Sequence, residues 1–211
     1  MFVGHYGVSF TAKKAEPAIP LWVLFIAVQL LDVLWAPLVL LGIEKVRIVP
    51  GITASNPLDL YYMPYTHSLV AAIGWSVVAF LVYRAVRPAP PRAAAIVGVA
   101  VFSHWVLDFL VHRPDLPLYD NTAKVGLGLW NLPAVALGLE ALLLFGAMWL
   151  YLRHAARRTA MLAFGVVMLA IQAYVFFGPP PASDKAAAAT ALIAYAVFAV
   201  VIRALERRAV A

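Results

Sequence analysis

Six stretches of predominantly apolar residues, 21–43, 61–85, 93–112, 130–152, 159–178 and 186–206, dominate the chain and leave only short polar gaps between them. A helix needs about 20 apolar residues to cross the hydrocarbon core of a bilayer. Backbone polar groups at that depth must also be satisfied internally. The expected fold is therefore all-α, a polytopic transmembrane helical bundle of about six spans. Composition agrees: 64% of the 211 residues are hydrophobic and 12% charged, against about 45–50% and 25% in a soluble domain. Mean hydropathy is +0.89. The gaps read as loops, with turn-forming Pro, Gly, Asn and Asp in PGITASNPLD, RPAPPR, HRPDLPLYDNTAK and GPPPASDK. They leave no room for an appended module, so residues 1–211 are expected to form a single membrane domain.

The net charge of +6 is spread in small groups at the ends of apolar runs, which orients helices and does not build a nucleic-acid surface. Membrane lipid is the expected partner, and nucleic acid is not. Lys13, Lys14, Arg84, Arg87, Arg92, Arg153, Arg157, Arg158, Arg203, Arg207 and Arg208 fall on one side, eleven in all; Lys45, Arg47, Arg113, Lys124 and Lys185 fall on the other. The positive-inside rule then predicts cytoplasmic termini. Residues 1–19 contain Lys and Glu and no small-residue cleavage site, so a secretory signal peptide is not expected. FVGHYGVSF is too short to cross and too apolar for a free tail, and reads as a half-helix. With Lys13 and Lys14 at the interface, His5 lies eight or nine residues deeper, at about 1.5 Å per residue, near mid-depth. Such a segment must tuck into the bundle. Trp22, Tyr61, Tyr62, Tyr65, Tyr119, Trp130 and Tyr151 read as an interfacial aromatic belt, and His154 as interfacial.

Ionisable residues inside spans are costly against lipid and mark function by default. Asp32 lies midway along the first stretch, His67 about six residues into the second, His104 and Asp108 in the third and Glu140 midway along the fourth. His104 and Asp108 are four apart, so imidazole and carboxylate share one helix face. Either a hydrogen-bonded pair or a two-ligand metal helix follows from that spacing. Gln29 and Asp32 also share a face, and Thr66 and Ser68 flank His67 with hydroxyls able to orient it. His112 falls at the membrane edge, suited to a structural or head-group contact. The last two stretches carry few polar residues and read as apolar support. Absence of cysteine leaves imidazole and carboxylate as the strong metal ligands.

The order of motifs is Gly4-His5, Asp32, Thr66-His67-Ser68 and Ser103-His104-x-x-x-Asp108. Over residues 1–115 it resembles the family of bacterial inner-membrane proteins known as membrane-bound metal-dependent hydrolases, whose pattern runs Gly-His, an Asp-rich element, Thr-His-Ser and Ser-His-x-x-x-Asp. The resemblance implies His5, Asp32, His67, His104 and Asp108 as metal ligands, hydrolysis of a phosphoester or related lipid bond, and a place in the bacterial inner membrane. The chain departs from the pattern in two places. Leu-Leu-Asp-Val stands where Pro-Asp-x-Asp is usual, and Tyr62-Met63-Pro64-Tyr65 where His-Arg-Gly precedes Thr-His-Ser. Glu140, or His112 with Arg113 and Asp115, would substitute for the missing groups.

Three imidazoles and two or three carboxylates exceed the four ligands of one zinc ion, implying two ions or one ion with a free base. Mixed nitrogen and oxygen donors suit zinc, manganese or iron(II), with zinc the expected metal. Asp108 or Glu140 would take the proton from water. A site at this depth suits an amphiphile, and His112, Arg113 and Asp115, with Lys124, would meet its head group. Two rival readings follow from the same residues: an ion- or proton-coupled transporter, and a non-catalytic protein held by a structural metal or hydrogen-bond network.

Overall fold

A computed structural model describes residues 1–88, 90–153 and 157–207. His154 and Arg208 lie outside them. Eight α-helices follow in chain order: α1 His5–Ala15, α2 Leu21–Val28, α3 Leu30–Leu40, α4 Leu69–Val86, α5 Pro91–Val111, α6 Pro133–Leu152, α7 Arg158–Phe177 and α8 Asp184–Arg207. Five of them, α4 to α8, are long and apolar enough to cross a membrane, and α2 with α3, bent by 54° at their junction, is together as long and apolar, which gives five to six candidate spans. Val78, Leu81, Val82, Leu142, Val166 and Val200 point outward from these helices and are exposed. A protein surrounded by water does not leave such a belt of large apolar side chains uncovered, whereas hydrocarbon accepts it without cost. The chain is an all-α membrane-spanning bundle.

Two stretches are organised differently from the sequence expectation. The first is not one helix of residues 21–43: it breaks at Gln29, whose φ of −109° and ψ of 8° leave the helical region. Gln29 Nε2 donates to the Phe2 carbonyl at 3.0 Å, so the break docks the N-terminal segment. The second does not start at residue 61. Leu58–Tyr62 is a strand, β2, antiparallel to β1 at Lys45–Ile48, and α4 begins only at Leu69, capped by Ser68, whose Oγ accepts from the Ala71 amide at 3.1 Å. Arg47 of β1 faces Asp59 of β2 across the hairpin. This opposite-charge pair competes with the apolar run that otherwise reads as helix.

The N-terminal half-helix is α1, buried as expected: His5, Ser9 and Phe10 are almost wholly enclosed. It crosses α6 at close range because Gly7 has no side chain; a Cβ there would lie 2.3 Å from the Leu143 carbonyl oxygen. Trp130, in a short 3-10 turn Leu129–Asn131 before α6, is not interfacial. It is buried, with its ring 4.2 Å from that of His112.

Candidate metal centre

α5 supplies the floor of the site. Its one-turn spacing puts His104 and Asp108 on the same face, with His104 Nε2 3.1 Å from Asp108 Oδ2. The break before α3 turns Asp32 toward them, its Oδ1 3.7 Å from His104 Nε2. His67 reaches in from the loop ahead of α4, its Nε2 3.3 Å from Asp32 Oδ1 and 3.9 Å from Asp108 Oδ2. α1 brings His5, whose ring stacks on His104 with centroids 4.0 Å apart and whose Nε2 lies 3.1 Å from Asp108 Oδ1. All five residues expected to bind metal therefore converge. His5, His104 and Asp108 form one group able to hold an ion, and Asp32, His67 and His104 form another.

These separations are of the order an ion needs. Ligands at zinc's 2.0–2.2 Å sit about 3.3–3.6 Å from one another on a tetrahedron, and the contacts that link Asp32, His67, His104 and Asp108 in a ring run from 3.1 to 3.9 Å. The proton positions fit as well. His104 Nδ1 lies 2.7 Å from the Val28 carbonyl, which only accepts, so Nδ1 carries a proton and Nε2 is the lone-pair atom of the neutral ring. Nε2 is buried and has no hydrogen-bond partner among the described residues. At His67, Thr66 Oγ1 donates its single proton to Glu44 Oε2 at 2.6 Å, so His67 Nδ1 donates to Thr66 Oγ1 at 2.7 Å. Its Nε2 then presents a lone pair too. Neutral imidazole nitrogens facing two buried carboxylates repel unless a cation lies between them or the rings take up protons.

Further partners fix the carboxylates. Tyr195 of α8 donates to Asp32 Oδ2 at 2.7 Å. The main-chain nitrogen of Met1 lies 2.5 Å from Asp108 Oδ1. His112 Nε2 stands 3.6 Å from Asp108 Oδ2 while its Nδ1 bonds Asp115 Oδ1 at 2.8 Å. Burial alone would lower the His112 pKa, but the carboxylates of Asp108 and Asp115 outweigh it and hold the imidazolium above its ordinary range. Arg113 is committed elsewhere, bonding Asp115 Oδ2 at 3.1 Å and Asp59 Oδ1. Asp59 in turn takes Arg47 Nη2 at 2.5 Å. An alternating chain of charges thus runs from the hairpin to His112.

Glu140 stands apart from the cluster. Its Oε2 accepts from the amides of Phe2 at 3.1 Å and Gly4 at 3.0 Å, and its Oε1 from Gln172 Nε2 at 2.7 Å. It anchors the N-terminal segment. Gln172 and Tyr195 also change the reading of the last two spans, which contribute polar groups as well as apolar support. Each is a polar or amphipathic residue within an otherwise apolar helix, and that isolation was the available signal. Thr66 does orient His67, as its position beside that residue predicts, but nothing in the sequence pointed to the Val28 carbonyl or to Glu44 as the partner of Thr66.

Beside the cluster lies a cavity of about 520 Å³ whose lining includes Asp32, His67, Asp108 and His112 and, from the apolar side, Trp35, Trp130 and Phe176. Arg113 and Asp115 are not part of its wall. Comparison of the chain with protein-family models, with curated proteins and with solved structures finds no match.

Proposed function

We propose that this protein is an integral-membrane metal-dependent hydrolase of the kind its motif order resembles, acting on an ester or phosphoester of a lipid-like molecule in the bacterial inner membrane. The observation that carries the reading is the pair of imidazoles whose Nδ1 protons are fixed by Val28 and Thr66. With Nδ1 engaged, the neutral ring of each offers its Nε2 lone pair to Asp32 or Asp108 and to any ion held there. Asp32, His67, His104 and Asp108 would hold a zinc-sized ion, with His5 beside Asp108. When bound, such an ion polarises the scissile oxygen and lowers the pKa of water toward neutrality.

The chain's own groups supply the rest. Asp108 Oδ1 is held by the Met1 nitrogen at 2.5 Å and by His5 Nε2 at 3.1 Å; water that takes the place of the Met1 nitrogen there would give Asp108 its proton. Water's oxygen bonds to the carbon or phosphorus centre, the bond to the alcohol oxygen breaks, and the proton taken by Asp108 returns to that oxygen. The apolar side of the cavity excludes bulk water and shelters the substrate's hydrocarbon part. Glu140 holds Met1 to Gly4 in place from behind, through the Phe2 and Gly4 amides, and so keeps His5 stacked on His104.

The test is elemental analysis of the purified protein together with turnover of p-nitrophenyl laurate and of bis-p-nitrophenyl phosphate. Stoichiometric transition metal is expected in the wild type, with turnover of one substrate lost in Asp108→Asn. A wild type that holds no metal would remove the basis of the reading. Ion-driven uptake by metal-free protein, lost in Asp32→Asn, would establish the transporter instead.

A further inference from the structure

We propose that Tyr195 of α8 is a positioning residue of the metal centre: by holding Oδ2 of Asp32 it makes that carboxylate a one-oxygen ligand and keeps a coordination place free for water. The inference rests on the metal centre proposed above and not on the hydrolysis assigned to it.

The two oxygens of Asp32 are divided between different partners. Oδ1 faces the imidazoles, 3.3 Å from His67 Nε2 and 3.7 Å from His104 Nε2. Oδ2 accepts from Tyr195 Oη at 2.7 Å. A carboxylate only accepts, so the phenol is the donor. Turning Oδ2 toward the imidazoles would break this bond and strand a hydroxyl that the bundle encloses, since Tyr195 is 9% exposed.

Coordination chemistry sets the value of that division. Asp32, His67, His104 and Asp108 offering one atom each already supply the four donors of a tetrahedral ion, and water joins them as a fifth. A carboxylate binds a metal through one oxygen or through both. Oδ2 of Asp32 is therefore an atom that competes with water for the remaining place, and the hydrogen bond from Tyr195 withholds it. Asp32, His67, Asp108 and Tyr195 all line the same cavity, so the place kept open is one that a molecule in the cavity reaches.

Local structure lets a residue of α8 reach α3. Helical side chains lean toward the N-terminus, over the preceding turn. In α8 the residue one turn before Tyr195 is Ala191, small enough to leave room for the phenol ring. Phe2 packs edge-on against that ring with centroids 5.7 Å apart, which holds it from the side of the N-terminal segment. Asp32 meets it because the break at Gln29 sets α3 at a new angle to α2. The hydroxyl comes from a helix far beyond residues 1–115, whose motif order carries the metal ligands.

The test loads the full-length protein in detergent micelles with Co(II) and reads its visible absorption, which is intense for a four-coordinate ion and weak at higher coordination. Tyr195→Phe keeps the ring and its contact with Phe2 and removes only the donor. It is expected to lower the absorption about threefold or more as Oδ2 closes on the ion, and to weaken azide binding to the bound cobalt about tenfold. Replacement of Tyr195 by 4-aminophenylalanine, which keeps a donor at the same reach, should preserve both readouts. So should Phe198→Leu, which disturbs the neighbouring contact of α8 with Phe2 and removes no donor. Unchanged absorption and azide affinity in Tyr195→Phe overturn the proposal. An equal change in Phe198→Leu does so too, by showing that α8 acts through packing. Complete loss of cobalt from Tyr195→Phe also overturns it, since the hydroxyl would then hold Asp32 in the ligand set outright. A wild type that takes up no cobalt removes the metal centre and this inference with it. Cobalt bound with the expected responses, but without turnover of either ester, sinks the hydrolase reading alone.

Discussion

His104 donates from Nδ1 to the carbonyl oxygen of Val28 at 2.7 Å. That carbonyl sits one residue before the break between α2 and α3, where the helical hydrogen-bond ladder is interrupted and main-chain acceptors are open to side chains. One bend therefore performs two tasks. It fixes the tautomer of a metal-facing histidine on α5, and it turns Asp32 of α3 toward the same point.

His104→Ala and Asp32→Asn are each expected to lose stoichiometric metal while still inserting in the membrane. His104 belongs to both groups of three able to hold an ion, and Asp32 to one of them. Elemental analysis of the purified variants is the check, and full retention of metal in both would exclude the assigned set.

Thr66→Val and Glu44→Gln should weaken metal binding without abolishing it. Both leave the His67 ligand atom in place and disturb only what orients it, an effect worth about 10–100-fold in affinity elsewhere. Competition with a fluorescent chelator measures this. Unchanged affinity in both would show that His67 is held by packing alone.

Stripping the metal should lower the thermal unfolding temperature, and adding it back should restore it. Asp32 and Asp108 are enclosed in the bundle, and their charges lose their main counterion on removal. Identical melting before and after chelation would argue that protonated histidines balance the site instead.

Glu140→Leu is predicted to lower stability and, by loosening the segment that carries His5, to lower metal content in part. The Phe2 and Gly4 amides and the Gln172 amide group would each lose an acceptor, at about 1–3 kcal/mol per stranded group. Thermal unfolding in the same lipid, with parallel elemental analysis, tests it. Wild-type stability combined with lost turnover would return Glu140 to a catalytic role.

Gly7→Leu should dislodge α1. A Cβ at that position would stand 2.3 Å from the Leu143 carbonyl oxygen, a backbone atom that cannot swing aside, so a cost of about 1–3 kcal/mol or more is expected. Since His5 lies on α1 two residues away, metal content should fall as well. Protection of α1 from proteolysis equal to that of the wild type would contradict this packing.

The apolar stretches by themselves determined the solvent, the helical class and the number of spans to within one. The spacing of His104 and Asp108 determined that they share a face, because helical periodicity is local and fixed at 3.6 residues per turn. The motif order pointed to His5, Asp32, His67, His104 and Asp108 together, and their polar atoms do lie together; depth alone grouped Glu140 with them, and Glu140 binds main-chain amides instead. Tertiary structure decided the rest. An apolar run does not distinguish a continuous helix from one broken at Gln29, or a helical start from a strand at Leu58–Tyr62, since the break and the hairpin are held by distant partners, Phe2 and the Arg47–Asp59–Arg113 chain. Glu140 and Asp108 are both acids within apolar helices, and in sequence both are candidates to take the proton from water. Which one meets imidazoles and which one meets main-chain amides depends on how α1 packs, and only the folded bundle fixes that.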